Sequence, residues 1–171
     1  MMKKLIVVLM IALLPTLAFA LDFQIGGTAM YKGLLEDIQS GVSDVGFDDF
    51  TFGAEARLNF GLIQGAAAVL YYPDEFAPSL VALTDIGLTL NLAIVRIGAG
   101  IGPNFYIPLS DDGPTGVPIG LNLKGAVDVQ LGGISVGLVG YYYLASLSDL
   151  DADLFQTAQP WLGLTVLFKL F

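Results

Sequence analysis

The chain has 171 residues, 55% of them hydrophobic and 13% charged, with neither cysteine nor histidine. Those two absences remove disulfide staples, thiol chemistry and every serine-type catalytic site that needs an imidazole base. A formal net charge of −9, from 16 acids against 7 bases, repels phosphate and excludes nucleic acid as a partner.

The first twenty residues form a unit of their own. Lys3 and Lys4 precede an apolar run from Leu5 to Leu14, and the segment closes on Ala18-Phe19-Ala20, a small-x-small site. This is the pattern of a secretory signal peptide, with an apolar part too short to serve as an anchor. Residues 21–171 are then expected to form a single domain.

From residue 21 onward, apolar residues recur with period two, which predicts half-buried strands. Phe23, Ile25, Ala29 and Tyr31 alternate with Gln24, Gly26, Thr28 and Lys32 in the first strand. In the second, Phe52, Ala54, Ala56, Leu58 and Phe60 alternate with Gly53, Glu55, Arg57, Asn59 and Gly61, the sharpest contrast in the chain. Gly65–Tyr72 is a third strand with weaker contrast. The fourth sets Ile86, Leu88, Leu90 and Leu92 against Asp85, Gly87, Thr89 and Asn91; the fifth sets Val95, Ile97, Ala99 and Ile101 against Arg96, Gly98, Gly100 and Gly102. A sixth runs from Ile119 to Gln130 with Asn122, Lys124 and Asp128 on its polar face, a seventh covers Ile134–Leu144 and an eighth Trp161–Phe171.

The connections alternate in length. Gly61–Gly65, Asn91–Ile94 and Leu131–Ile134 are tight, whereas 33–50, 73–79, 107–117 and 145–159 are longer and rich in Asp, Gly, Ser and Pro. Short turns on one rim and long loops on the other suit an all-β, eight-stranded antiparallel up-and-down transmembrane β-barrel, with the short turns periplasmic. A rival reading takes Leu131–Leu147, which carries no charge, as a membrane helix. Its glycines, its β-branched residues and the consecutive tyrosines 141–143 favour strand, and no loop shows the Lys or Arg excess expected of a helical membrane protein.

Sorted by element, the charges separate. Without Lys3 and Lys4, the chain keeps five bases, all in strands: Lys32, Arg57, Arg96, Lys124 and Lys169. The strand acids Glu55, Asp85 and Asp128 share their polar face, with Asp22 at the N-terminal edge. A lumenal ion-pair network of Glu55, Arg57, Asp85, Arg96, Lys124 and Asp128 is therefore expected, since a charge removed from water needs a partner. An eight-stranded barrel is just wide enough for side chains to fill. The alternative is a soluble barrel with its charged face outside. The other 12 acids fall in the four long connections without a base beside them, among them Asp44, Asp48, Asp49, Asp149, Asp151 and Asp153. They define an expected acidic patch with an affinity for divalent cations or cationic ligands.

With its leader, alternating strands and an aromatic last residue, Phe171, the chain resembles the small bacterial outer-membrane barrels of the OmpX, OmpW and OmpA-transmembrane groups, and no motif selects one of them. The resemblance implies outer-membrane location, lipid as surroundings, and insertion by the barrel-assembly machinery, which would read the last strand with Phe171 as its terminal residue. One departure concerns phase. Counting back from Phe171 gives Lys169, Leu167, Thr165 and Gly163, whereas Leu162, Leu164, Val166, Phe168 and Leu170 are uniformly apolar. The second set is expected to face lipid, with Phe171 at the rim.

Other motifs fail. Asp149-Leu150-Asp151-Ala152-Asp153 begins like a calcium loop, but Leu154 stands where Gly is needed and Pro160 where the bidentate Glu belongs. The Gly98–Gly102 run has Pro103 in place of a dinucleotide loop's last glycine. Carboxylate pairs such as Asp48-Asp49 or Asp111-Asp112 read as solvated loop acids. Neither enzyme nor cofactor is expected. Two functions remain: a structural or surface-interaction barrel serving envelope integrity, adhesion or ligand capture, and a porin-like narrow pore or conduit for small solutes, polar or hydrophobic. Pro103, Pro118 and Pro160, expected at the outer strand ends, could weaken a seam for such a conduit because proline deletes a ladder donor.

Overall fold

The computed structural model describes residues 21–32, 46–73, 78–109, 117–144 and 159–171. Their alternating pattern folds into eight strands: β1 Leu21–Tyr31, β2 Phe50–Phe60, β3 Ile63–Tyr72, β4 Ser79–Leu92, β5 Val95–Pro108, β6 Ile119–Leu131, β7 Ile134–Leu144 and β8 Gln159–Lys169. Each pairs antiparallel with the next, and β8 returns to β1 to close the barrel. Closure leaves no free sheet edge, so every strand has a ladder partner on both sides.

Three two-residue turns join β2 to β3, β4 to β5 and β6 to β7. Gly61 and Gly132 occupy the left-handed region at φ 61° and 66°, where glycine has no Cβ penalty. Ala93 adopts φ 56° at the equivalent place and bears that penalty. The start of β1 and the C-terminal Phe171 lie on this rim. The Phe23 amide donates to the Phe171 carbonyl at 3.1 Å, the Leu170 amide donates to the Phe23 carbonyl at 2.9 Å, and the Phe23 and Phe171 rings stack 5.6 Å apart.

In the segment with the helical alternative, the described residues 131–144 are strand and turn: Leu131 ends β6, Gly132 and Gly133 turn, and β7 follows. Among the described residues, no helix is long and apolar enough to cross a membrane. The expected leader, residues 1–20, lies outside the described residues.

Two strands run further than their alternation suggests. β4 begins at Ser79, before the pattern read from Asp85, and β5 continues past Gly102 to Pro108. In those outer halves, inward positions such as Val81 and Leu83 are as apolar as outward ones, so period two fades although the strand continues. Pro103 consequently lies within β5 rather than at its end. Pro118 directly precedes β6, and Pro160 is the second residue of β8.

Candidate functional site

The two faces of the wall have opposite chemistry. Along all eight strands the outward positions carry no charged residue, and Thr84 is their one non-aromatic polar side chain. Outward Ile86, Leu88, Leu138 and Leu164 are each more than half exposed. Inward, Glu55, Arg57, Asp85, Arg96, Lys124 and Asp128 are all buried. The arrangement is the reverse of a soluble barrel, in which apolar residues pack inward. In β8 the outward set is Leu162, Leu164, Val166 and Phe168, while Thr165 and Leu167 point in and are fully buried. Lys169 and Phe171 are exposed at the rim.

Arg57 stands at the centre of the lumen. Its Nε donates to Glu55 Oε1 at 2.7 Å, Nη1 to Asp128 Oδ2 at 2.6 Å, and Nη2 to Thr165 Oγ1 at 3.4 Å. Lys124 Nζ shares Glu55 Oε1 at 2.6 Å and lies 3.4 Å from Asp85 Oδ2. Five of the six expected network residues thus form one cluster from β2, β4 and β6. Glycines make room for it. A Cβ on Gly137, directly opposite Asp128 in register, would come within 2.0 Å of that carboxylate, and one on Gly100 within 2.6 Å of Asp85 Oδ1.

Arg96 does not join this cluster. Although Asp128 is its cross-strand neighbour, the Arg96 guanidinium turns toward the short-turn rim, where Nη2 donates to Asp22 Oδ2 at 2.5 Å and Nε to Asn91 Oδ1 at 2.8 Å. Gln24 Nε2 donates to the same Asp22 oxygen at 3.3 Å, and Gln64 Nε2 donates to Asn59 Oδ1 at 2.6 Å nearby. The expected network of six is therefore two assemblies, and Asp22 belongs to the second. Asp22 is distant from Arg96 in sequence, and closure alone makes them neighbours.

Toward the long-loop end the lumen changes character. Met30, Ala68, Leu70, Val81, Leu83, Tyr141, Tyr143 and Trp161 form an apolar plug. The Tyr143 and Trp161 rings stack 5.0 Å apart, Tyr72 lies 6.1 Å from Trp161, and Lys32 Nζ sits 3.7 Å above the Tyr72 ring. The sequence signal for this plug was the loss of alternation in the outer halves of β3, β4 and β7.

At Pro103 the β4–β5 ladder is interrupted between the pairs Leu83↔Asn104 and Ile86↔Ile101. Side chains bridge the gap: Thr84 Oγ1 donates to the Pro103 carbonyl at 2.9 Å, and Asn122 Nδ2 donates to the Thr84 carbonyl at 3.3 Å. Asn122 lies beside Gly102 in register, and a Cβ there would fall 2.1 Å from that carbonyl. The proline thus weakens the seam less than a lost bond alone would imply.

Of the acidic loop patch, Asp44, Asp149, Asp151 and Asp153 lie outside the described residues. Asp48 and Asp49 belong to a one-turn 3₁₀ helix, Phe47–Asp49, in which Asp49 Oδ2 accepts from the Gly46 amide at 2.8 Å. Among the described residues there is no group of three or more acidic side chains placed to hold a metal ion.

Fold and faces together define an eight-stranded antiparallel up-and-down barrel with an uncharged outer wall and a charged, filled lumen. No protein-family model and no curated protein matches the chain.

Proposed function

We propose that this chain is an integral outer-membrane barrel of the small eight-stranded kind, exported by its N-terminal leader, with a structural or surface-interaction role carried by acidic extracellular connections. The observation that carries this reading is the inverted polarity of the wall, uncharged on every outward strand position and ion-paired within. The outward aromatics support it. Phe50, Phe52, Tyr71, Phe105 and Tyr142 lie toward one end of the strands and Phe23, Phe60 and Phe168 toward the other. From Phe50 to Phe60 a tilted strand spans roughly 25 Å, the height of an outer-membrane apolar band.

Lumenal filling favours a plugged cylinder over a conduit, because Arg57, Tyr141 and Trp161 are fully buried within it. Interaction then falls to the connections opposite the tight turns, which hold 12 acids without a base. Such a rim carries a negative potential that gathers divalent cations and basic ligands. The test has two parts. Detergent-folded protein should migrate faster on unboiled than on boiled gels and show a strand circular dichroism spectrum; a helical spectrum would defeat the barrel in the membrane. Polylysine binding to proteoliposomes should weaken as salt shortens the Debye length from roughly 10 Å to 3 Å. Replacing Asp44, Asp48, Asp49, Asp149, Asp151 and Asp153 by Asn should abolish that salt dependence without impairing assembly. Binding that the six replacements leave unchanged would reduce the rim charge to a solubility feature.

A further inference from the structure

We infer that Phe47 is a membrane-interface anchor that holds the short turn of residues 46–49 at the lipid headgroup–hydrocarbon boundary beside β2. The inference rests on the membrane reading above.

Phe47 is 73% exposed, more than any other large apolar residue among those described. Its backbone is held: the Gly46 amide donates to Asp49 Oδ2, the Asp49 amide donates to the Gly46 carbonyl at 3.3 Å, and the Asp49 carbonyl accepts from the Lys32 amide at 2.9 Å. These bonds tie the turn to the backbone just past the end of β1. The Phe47 ring stacks on outward Phe52, 5.1 Å away at an interplanar angle of 22°.

Phe52 is itself an outward residue, 6.3 Å from Phe50, which lies 5.5 Å from Tyr31; Tyr71 is the register partner of Phe52 on β3. Phe47, Phe50 and Phe52 therefore form one stacked patch on the outer end of β2, with Tyr31 buried against Phe50 and Tyr71 beside Phe52 in register, continuous with the apolar wall below. Among the described residues, only Phe105 and Tyr142 are outward aromatics at this end on the far side. The patch is one-sided, and Phe47 is its most exposed member.

Two observations select lipid over a second copy of the chain. The connection bearing Phe47 also bears Glu36, Asp37, Asp44, Asp48 and Asp49 and no base, so two copies meeting here would bring like charges together. The outward wall below the patch is apolar and uncharged, so the ring sits at the upper edge of the surface that the membrane reading gives to lipid. Aromatic rings partition to the membrane interface.

Because the chain has no cysteine, single-site labelling tests this directly. Phe47→Cys, Gly46→Cys and Leu88→Cys, each carrying the same nitroxide in proteoliposomes, are compared by collision with oxygen, which concentrates in lipid, and with a water-soluble nickel chelate. The label at 47 should resemble that at outward Leu88, with oxygen collisions exceeding chelate collisions several-fold, while the label at 46 should show the reverse. A chelate-dominated label at 47, with Leu88 still oxygen-dominated, overturns the anchor and leaves the membrane reading standing. A chelate-dominated label at 88 overturns both. Disulfide cross-linking between unlabelled Phe47→Cys copies, or spin–spin broadening at 47, assigns the patch to a second copy and overturns the lipid anchor.

Discussion

Arg57 and Trp161 are both fully buried on the inward face of one barrel, yet the regions around them are held by different physics. Around Arg57, Glu55, Asp128 and Lys124 are joined by short directional bonds between charged groups, with Asp85 as a looser ion pair 3.4 Å from Lys124. Around Trp161, Tyr143, Tyr72, Leu70 and Met30 are held by contact area and shape. The first region specifies and tolerates little; the second fills and adapts. A buried ion cluster is weak evidence of net stabilisation, but removing one member leaves a charge without compensation. A hydrophobic cluster that loses part of a ring forfeits only the transfer and cavity terms for the missing atoms.

The largest expected effect follows from that contrast. Arg57→Met keeps an unbranched apolar stem but removes the guanidinium whose charge Glu55 and Asp128 share, so it should lower stability by about 3–5 kcal/mol. Trp161→Phe keeps the plug apolar and should cost about 1–2 kcal/mol. Both are read as shifts in the midpoint of urea unfolding from detergent at unchanged slope. Equal shifts would erase the distinction between the two regions and point to a lumen wet enough to screen its charges.

How legible this was in the sequence depended on the same contrast. Where the lumen is charged, inward and outward residues differ, and Gly53-Ala54-Glu55-Ala56-Arg57-Leu58-Asn59 reads as a strand with one inward face. The tight turns were equally visible, since Gly61 and Gly132-Gly133 mark reversals by their backbone freedom. Where the lumen is apolar the signal faded, and Leu80–Leu83 and Asn104–Pro108 carried no mark of the strands they extend. Which cation meets which carboxylate was beyond reach. Arg96 and Asp128 are neighbours in register, but Arg96 instead takes Asp22, a partner supplied by the opposite end of the barrel's closure. Period two gives the face a residue occupies; rotamer choice within a closed cylinder gives its partner.

A smaller effect is expected from crowding the charged region without altering a charge. Gly137 lies directly opposite Asp128, and a Cβ there would stand 2.0 Å from the carboxylate that receives Arg57 Nη1. Gly137→Ala should therefore displace Asp128 and lower stability by about 1–3 kcal/mol, the range for overpacking a close-packed site. The same change at Gly125, where nothing lies within 4 Å of an added Cβ, should be nearly neutral. If the two substitutions shift the urea midpoint alike, the cost is one of strand propensity and not of the ion cluster.

The smallest effect concerns the least bound member. The central cluster places Glu55, Asp85 and Asp128 against only two cations, and the two cations divide unequally among them. Glu55 takes both at 2.6–2.7 Å, and Asp128 takes Arg57 at 2.6 Å, whereas Asp85 meets only Lys124, at 3.4 Å. Asp85→Asn keeps the volume and an oxygen toward Lys124 while removing the surplus negative charge, so stability should stay within about 1 kcal/mol of the parent. Asp128→Asn removes a short charge-assisted bond to Arg57 and should cost about 1.5–3 kcal/mol. Combining Asp85→Asn with Arg57→Met should cost less than the sum of the two, because one fewer carboxylate is then left uncompensated; strict additivity in that cycle would mean that Asp85 and Arg57 do not belong to one electrostatic unit.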